Sequence, residues 1–276
     1  MATPHDAVDE LAETAALQRR RPSFPLSHRT RIVLGRLLLL AIVLGLWEAL
    51  ARHNIIPAAF IGQPSFFLPF LAAKLLDGSF VVGIRETLSA TLAAFFIGGV
   101  AAILTALVLT ASRTVKELLD PFIDAMNALP RVALVPLFIV WFGLGTLSKI
   151  VSGISLMYFI LLYNTLAGAQ SVDPDHNQLA RSLGLSKQRI FVSIVVPTAV
   201  PSIFTGLRLG LIYTLLGVVT AELIAGGKGL GSLISYYSNT FDANGVFAVL
   251  LVLVFLSYVL AGAMTYVEQR LTRWQR

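Results

Sequence analysis

SVDPDHNQLARSLGLSKQRIFVSIVVP, residues 171–197, is the one substantial polar interruption in the second half of the sequence, with long apolar runs on both sides. Asp173 and Asp175 flank Pro174, which suits a turn followed by a helix start. Leu179, Leu183 and Leu185 can line one side of a short helix, with Gln178, Arg181, Ser182 and Lys187 on the others. Gly184 stops that helix, and Ser186 can cap a second one running towards Pro197. The product is a compact helix–turn–helix lying at a membrane surface, shaped to be gripped by another protein.

The membrane enters through composition. Of 276 residues, 56% are hydrophobic and only 13% charged, the profile of a polytopic membrane protein rather than a soluble domain. The length accommodates about six spanning helices of roughly 20 residues each. There is no cysteine, which removes disulfides and thiolate metal sites. The net charge of +6 reads as Lys and Arg on cytoplasmic loops, not as a nucleic-acid surface.

Residues 1–28 read as a flexible cytoplasmic tail, with Arg19, Arg20 and Arg21 followed by Pro22 and Pro25. Ile32 to Ala51 is an uncleaved first span, too long for the apolar core of a secretory signal. His53 to Glu86 is expected outside, with a short interfacial helix over Ser65 to Leu76 that Asp77-Gly78 ends. Thr87 to Thr110 is the second span, rich in small residues that let membrane helices approach. Pro121 to Phe142 is a third, irregular span in which Pro130 and Pro136 each remove a backbone donor and kink the helix. Such freed carbonyls favour a place against a pathway over one against lipid. Ser148 to Gly168 and Pro197 to Ile224 are the fourth and fifth spans. Ala225 to Gly245 lies outside, and Val246 to Tyr266 is the sixth. Both termini then fall in the cytoplasm with most of the Lys and Arg, while Arg52, Lys74, Arg85, Lys149 and Lys228 are left outside.

The polar segment also carries a family pattern. Permease subunits of ATP-binding-cassette importers have a cytoplasmic loop of the form E-A-A, three residues, G, nine residues, I-x-L-P. Gln178-Leu179-Ala180, Gly184, and Ile194, Val196 and Pro197 fall at those places with the same spacing; Gln replaces Glu, Leu replaces Ala and Val replaces Leu. The run from Pro121 to Gly145, the run from Gly206 to Ile224 and GGKGLGSLI from Gly226 to Ile234 look like the nitrate/sulfonate/taurine-type permeases. The resemblance implies an all-α membrane protein of the type I ABC importer permease fold, with residues 29–276 forming the permease domain. It implies that Gln178, Leu179, Ala180, Arg181, Ser182, Gly184, Ser186, Ile194 and Pro197 form the coupling helix and its closing motif. It further implies two ATPase subunits that bind ATP in place of this chain, a second permease copy, and a soluble or lipid-anchored solute-binding protein. The setting it implies is the bacterial inner membrane, and the cargo is nitrate, a sulfonate, taurine or a vitamin precursor.

No catalytic or metal constellation emerges, since His5, His28, His53 and His176 are scattered and the phosphate-loop pattern is missing. The chain is therefore expected not to be an enzyme and to need no cofactor of its own. Polar residues inside spans are the better candidates. Asn127, Arg131, Trp141, Tyr158, Arg208 and Glu222 are candidates for a translocation path, whose solute is anionic if Arg131 or Arg208 meets it. Anchoring of helices is the alternative for the charged residues, and packing for Trp141, Phe142 and Tyr158. Arg208 and Glu222 are about 21 Å apart along one helix and cannot pair with each other. Gly227, Gly229 and Gly231 make either a mobile outer gate or a plain turn. The rival from another class is a secondary transporter, which needs an acidic residue deep in a span, and only Glu222 comes near that description.

Overall fold

The computed structural model describes residues 28–53 and 55–272. The tail, its arginine triplet, Arg273 and Arg276 lie outside the described residues. Two units separate at Leu50/Ala51. The first unit contains most of α1 (His28–Arg52), which covers the expected first span.

The second unit is built of helices alone among its described residues: α2 (Ala58–Ile61), α3 (Pro64–Leu76), α4 (Ser79–Ala111), α5 (Arg113–Ala128), a 3₁₀ turn (Arg131–Leu134), α6 (Val135–Phe142), α7 (Thr146–Gln170), α8 (Pro174–Ser182), α9 (Lys187–Ile190), α10 (Val196–Ala225), α11 (Leu230–Asn239) and α12 (Ala243–Leu271).

Its centre is three long helices that meet along ridges of every fourth residue. On α4 the buried ridge is Ala90, Ala94, Gly98, Ala102 and Ala106. On α7 it is Lys149, Gly153, Met157, Leu161, Thr165 and Ala169. On α10 it is Gly206, Gly210, Thr214, Val218 and Glu222. Small residues let backbones approach: a Cβ added at Gly217 would lie 2.7 Å from the Ser152 carbonyl oxygen, and one at Gly206 2.8 Å from Asn164 Cβ. The opposite face of α4 carries Leu92, Phe96, Val100, Leu104 and Val108, all exposed. Small residues inside and large apolar ones outside invert the soluble pattern and match a helix surrounded by lipid.

These contacts fix direction. Gly98 lies against Ile154, and the Tyr158 hydroxyl donates to Thr105 Oγ1 at 2.8 Å, so α4 and α7 run parallel. Gly153 meets Val218 and Gly206 meets Leu161, so α7 and α10 run antiparallel. Parallel α4 and α7 require residues 112–145 to carry the chain back along the bundle. Among the described residues five helices are long and apolar enough to cross a membrane, or six if this bent returning pair is one span.

The returning pair differs from the expected third span. The helix starts at Arg113, where the Ser112 hydroxyl accepts from Val115 N, and passes through Pro121 without breaking. It is amphipathic: Arg113–Glu117 and Lys116–Asp120 ion pairs lie along it, while Leu118, Phe122 and Met126 are exposed. The break comes at Leu129, extended before Pro130, and the two halves meet at 82°. Pro136 produces no second kink, because it sits in the first turn of α6 where no amide donor is needed.

Other boundaries shift for physical reasons. The second span begins at Ser79, eight residues before Thr87, because Asp77 caps α3 and Gly78 (φ +79°) turns the chain directly into α4. The Asp77 carboxylate accepts from Ser79 N at 2.8 Å and from Lys74 Nζ at 3.2 Å. These bonds hold it down to about 2 and push Lys74 up. The α3 helix packs on the start of α12, where the Phe67 and Phe247 rings stack at 5.9 Å and Gln63 N donates to Asn244 Oδ1. Ala225 to Gly245, expected as an outer loop, contains α11, whose first residues are buried.

Candidate functional site

The polar segment folds as its residues dictate. Asp173 Oδ1 accepts from Asp175 N at 2.9 Å and Pro174 opens α8. At the other end Gly184 N donates to Arg181 O at 2.9 Å and Leu185 N to Ala180 O at 3.1 Å. This paired closure leaves Gly184 at φ +77°, with open space where a Cβ would be. Glycine is needed there for its backbone angle and not for room. Ser186 Oγ accepts from Arg189 N at 3.3 Å and starts α9.

The second helix does not stop at Pro197. Helix α9, a π-turn over Phe191–Val195 and α10 follow one another without interruption, a run of 39 residues from Lys187 to Ala225. Val196 N donates to Phe191 O, five residues back, so the widened turn absorbs the proline. The second half of the knuckle is therefore continuous with the fifth span.

Among the residues expected to couple, Gln178, Arg181 and Ser182 are exposed, Ala180 is buried, and Ile194 and Pro197 are half-buried. Leu179 is 58% exposed and Leu183 72%. One turn apart, they present an apolar pair outward instead of packing on the bundle. Beside them, Arg181 and Lys187 rim a groove of about 530 Å³ between the knuckle and the end of α4, floored by Ile190, Phe191 and Val195.

The path candidates divide into separate places. Asn127 and Arg131 lie on either side of the α5–α6 break; Arg131 Nη2 donates to Asn127 O at 2.8 Å and also to its side-chain oxygen. The Arg131 guanidinium sits 4.5 Å from the Phe159 ring centroid. Phe159 and Tyr158 line a cavity of about 290 Å³ with Ile123, Met126, Ile154 and Ser155. Trp141 is exposed, with its ring tilted against Phe138 and edge-on to Phe142. Arg208 is tied to Glu268 of α12.

Glu222 is fully buried at the far end of the bundle. Lys149 Nζ donates to its Oε1 at 3.1 Å, and Thr87 Oγ1 and Gly231 N donate to its Oε2 at 2.8 and 3.0 Å. Arg208 and Glu222 each have another partner, as their separation along α10 required. Lys149, expected among outer-surface charges, is in the first turn of α7 and buried. Lys149, Thr87 and Glu268 were not singled out from sequence. The every-fourth-residue ridges of α7 and α10 end on Lys149 and Glu222, and that periodicity was the available signal. Gly227 and Gly229 have positive φ, and Gly229 and Gly231 sit against the Glu222 side chain.

Inverted packing, parallel long helices and a broken returning pair define a multi-pass helical membrane protein with a surface knuckle closed by its own backbone. The chain belongs to the family of binding-protein-dependent transport system inner membrane components, whose model matches residues 94–273. It is an ATP-binding-cassette importer permease. It is 29% identical to the taurine transport system permease protein TauC of Escherichia coli (strain K12), over 93% of this chain and 94% of that one. It is 30% identical to the riboflavin transport system permease protein RibX of Chloroflexus aurantiacus, over 88% and 90%. Its fold resembles an inward-facing MetNI methionine ABC transporter chain, with a TM-score of 0.61 at 19% identity, covering 69% of this chain and 95% of that one.

Proposed function

We propose that the knuckle of α8, Gly184 and α9 is the docking element for an ATPase subunit, and that this chain hydrolyses no ATP itself. The observation carrying this is the exposed Leu179/Leu183 pair on a turn closed by its own backbone and continuous with α10. A stiff exposed element joined to a span can transmit displacement, and two states of the bundle biased through it would drive transport. Two copies of the chain with two ATPases form the complete assembly, fed by an external solute-binding protein. The cluster of Arg113, Lys116, Arg181, Lys187 and Arg189 at the α8 end supports a cytoplasmic side there, in a bacterial inner membrane.

The cargo is a small polar or anionic solute, in keeping with relatives named for taurine, aliphatic sulfonates, formylaminopyrimidine and riboflavin. Asn127, Arg131 and Tyr158 beside the α5–α7 cavity are the path residues best placed to meet it. The test is ATP hydrolysis by the purified chain with and without its co-expressed ATPase. Activity is expected only in the complex; robust hydrolysis by the chain alone contradicts the assignment.

A further inference from the structure

Helix α11 begins without a cap of its own. Its N-cap residue is Gly229, which has no side chain to accept from the first amides. The first amides of a helix nonetheless need partners when buried. Here two other helices supply them. Leu230 N donates to Thr87 Oγ1 of α4 at 2.8 Å, and Gly231 N donates to Glu222 Oε2 of α10 at 3.0 Å. Thr87 then donates onward to the same carboxylate oxygen. Lys149 of α7 neutralises that carboxylate and also donates to the Lys228 carbonyl in the glycine-rich turn. Ser232 Oγ closes the set by donating to Glu222 O at 3.2 Å.

A carboxylate at a helix N-terminus is favoured twice, by the free amides and by the helix dipole. The packing is equally specific, since a Cβ on Gly229 would land on the Glu222 carboxylate and one on Gly231 on the Val219 carbonyl.

We infer that Glu222, Lys149 and Thr87 clamp residues 226–232 and the start of α11 to α4, α7 and α10. The glycine-rich turn is then a fixed part of the wall at this end, and opening there moves the wall as a body. This builds on the permease assignment, but the clamp is testable without it.

The chain has no cysteine, so single reporters are clean. Leu230→Cys, which keeps the backbone amide that Thr87 accepts, reports a buried site on α11 and Ser238→Cys an exposed one on the same helix. The ratio of their maleimide modification rates is measured on the full chain in native membrane vesicles. Glu222→Gln and Lys149→Met each raise the ratio tenfold or more, and Thr87→Val raises it at least threefold without leaving a buried charge. The double variant Glu222→Gln/Lys149→Met falls below the single variants. The charge swap Glu222→Lys/Lys149→Glu stays open, because an ammonium cannot accept from Gly231 N. A rise below threefold in Glu222→Gln or Thr87→Val, or full protection in the swap, overturns the clamp. Unchanged Ser238→Cys labelling confirms that a rise is not general unfolding.

Discussion

The two ends of the bundle are closed by opposite means. At the α8 end the turn is held by neighbours in sequence: Asp173 with Asp175, Gly184 with Arg181, Ser186 with Arg189. At the α11 end the closure adds, to two bonds within ten positions, bonds between residues 73 to 143 positions apart, through a buried carboxylate, a lysine and a hydroxyl. The first kind of closure keeps its shape when the rest of the protein moves and leaves its surface free for a partner. The second exists only while three helices stay together. Perturbations should therefore be local at one end and global at the other.

The largest expected effect is at the buried pair. Glu222→Gln or Lys149→Met leaves one buried group uncompensated, a loss of about 3–5 kcal/mol, read as a fall in thermal midpoint of the detergent-solubilised chain. The double replacement should be far milder than either single change. Gly217→Ala comes next: its methyl meets the Ser152 carbonyl and should force α7 from α10 at a cost of ~1–3 kcal/mol in the same measurement. Gly184→Val strains a backbone at φ +77° by ~1–2 kcal/mol. Its effect should stay in the knuckle, lowering transport with little change in the thermal midpoint. A large fall in that midpoint would erase the distinction between the ends. Ser186→Ala removes one cap and should cost about 1 kcal/mol, visible as faster amide exchange at Arg189.

The smallest effect is electrostatic. Asp77 is held at about 2 by Ser79 and Lys74, so its contribution is complete above the ordinary carboxylate range. It is lost as pH falls through about 2. The protection factor of the Ser79 amide should fall as pH drops through about 2, and Asp77→Asn should flatten that response.

The same contrast explains what the sequence made legible. Pro174, Gly184 and Ser186 act within a few residues, so the knuckle could be read directly, as could the Asp77-Gly78 turn. The apolar runs located the spans, though Ser79 to Glu86 carried too much polarity to be read as the start of one. Residues 113–128 hid their helix because charge and apolarity alternate around it. Pro121 looked like a start because its tolerance depends on context. Lys149 looked like a surface charge because its partner lies on another helix, 73 positions away. What the residue pattern could have revealed is the shared four-residue spacing that ends at Lys149 on α7 and at Glu222 on α10.

The docking role of the knuckle can be measured by recovering the tagged full-length chain from native membranes and quantifying the phosphate-loop ATPase that accompanies it. Leu183→Glu, which places a charge on the exposed apolar pair without touching the turn, should reduce that recovery at least tenfold while the permease itself is obtained in equal yield. Absence of any such ATPase with the unmodified chain, or undiminished recovery with Leu183→Glu, would contradict the docking assignment.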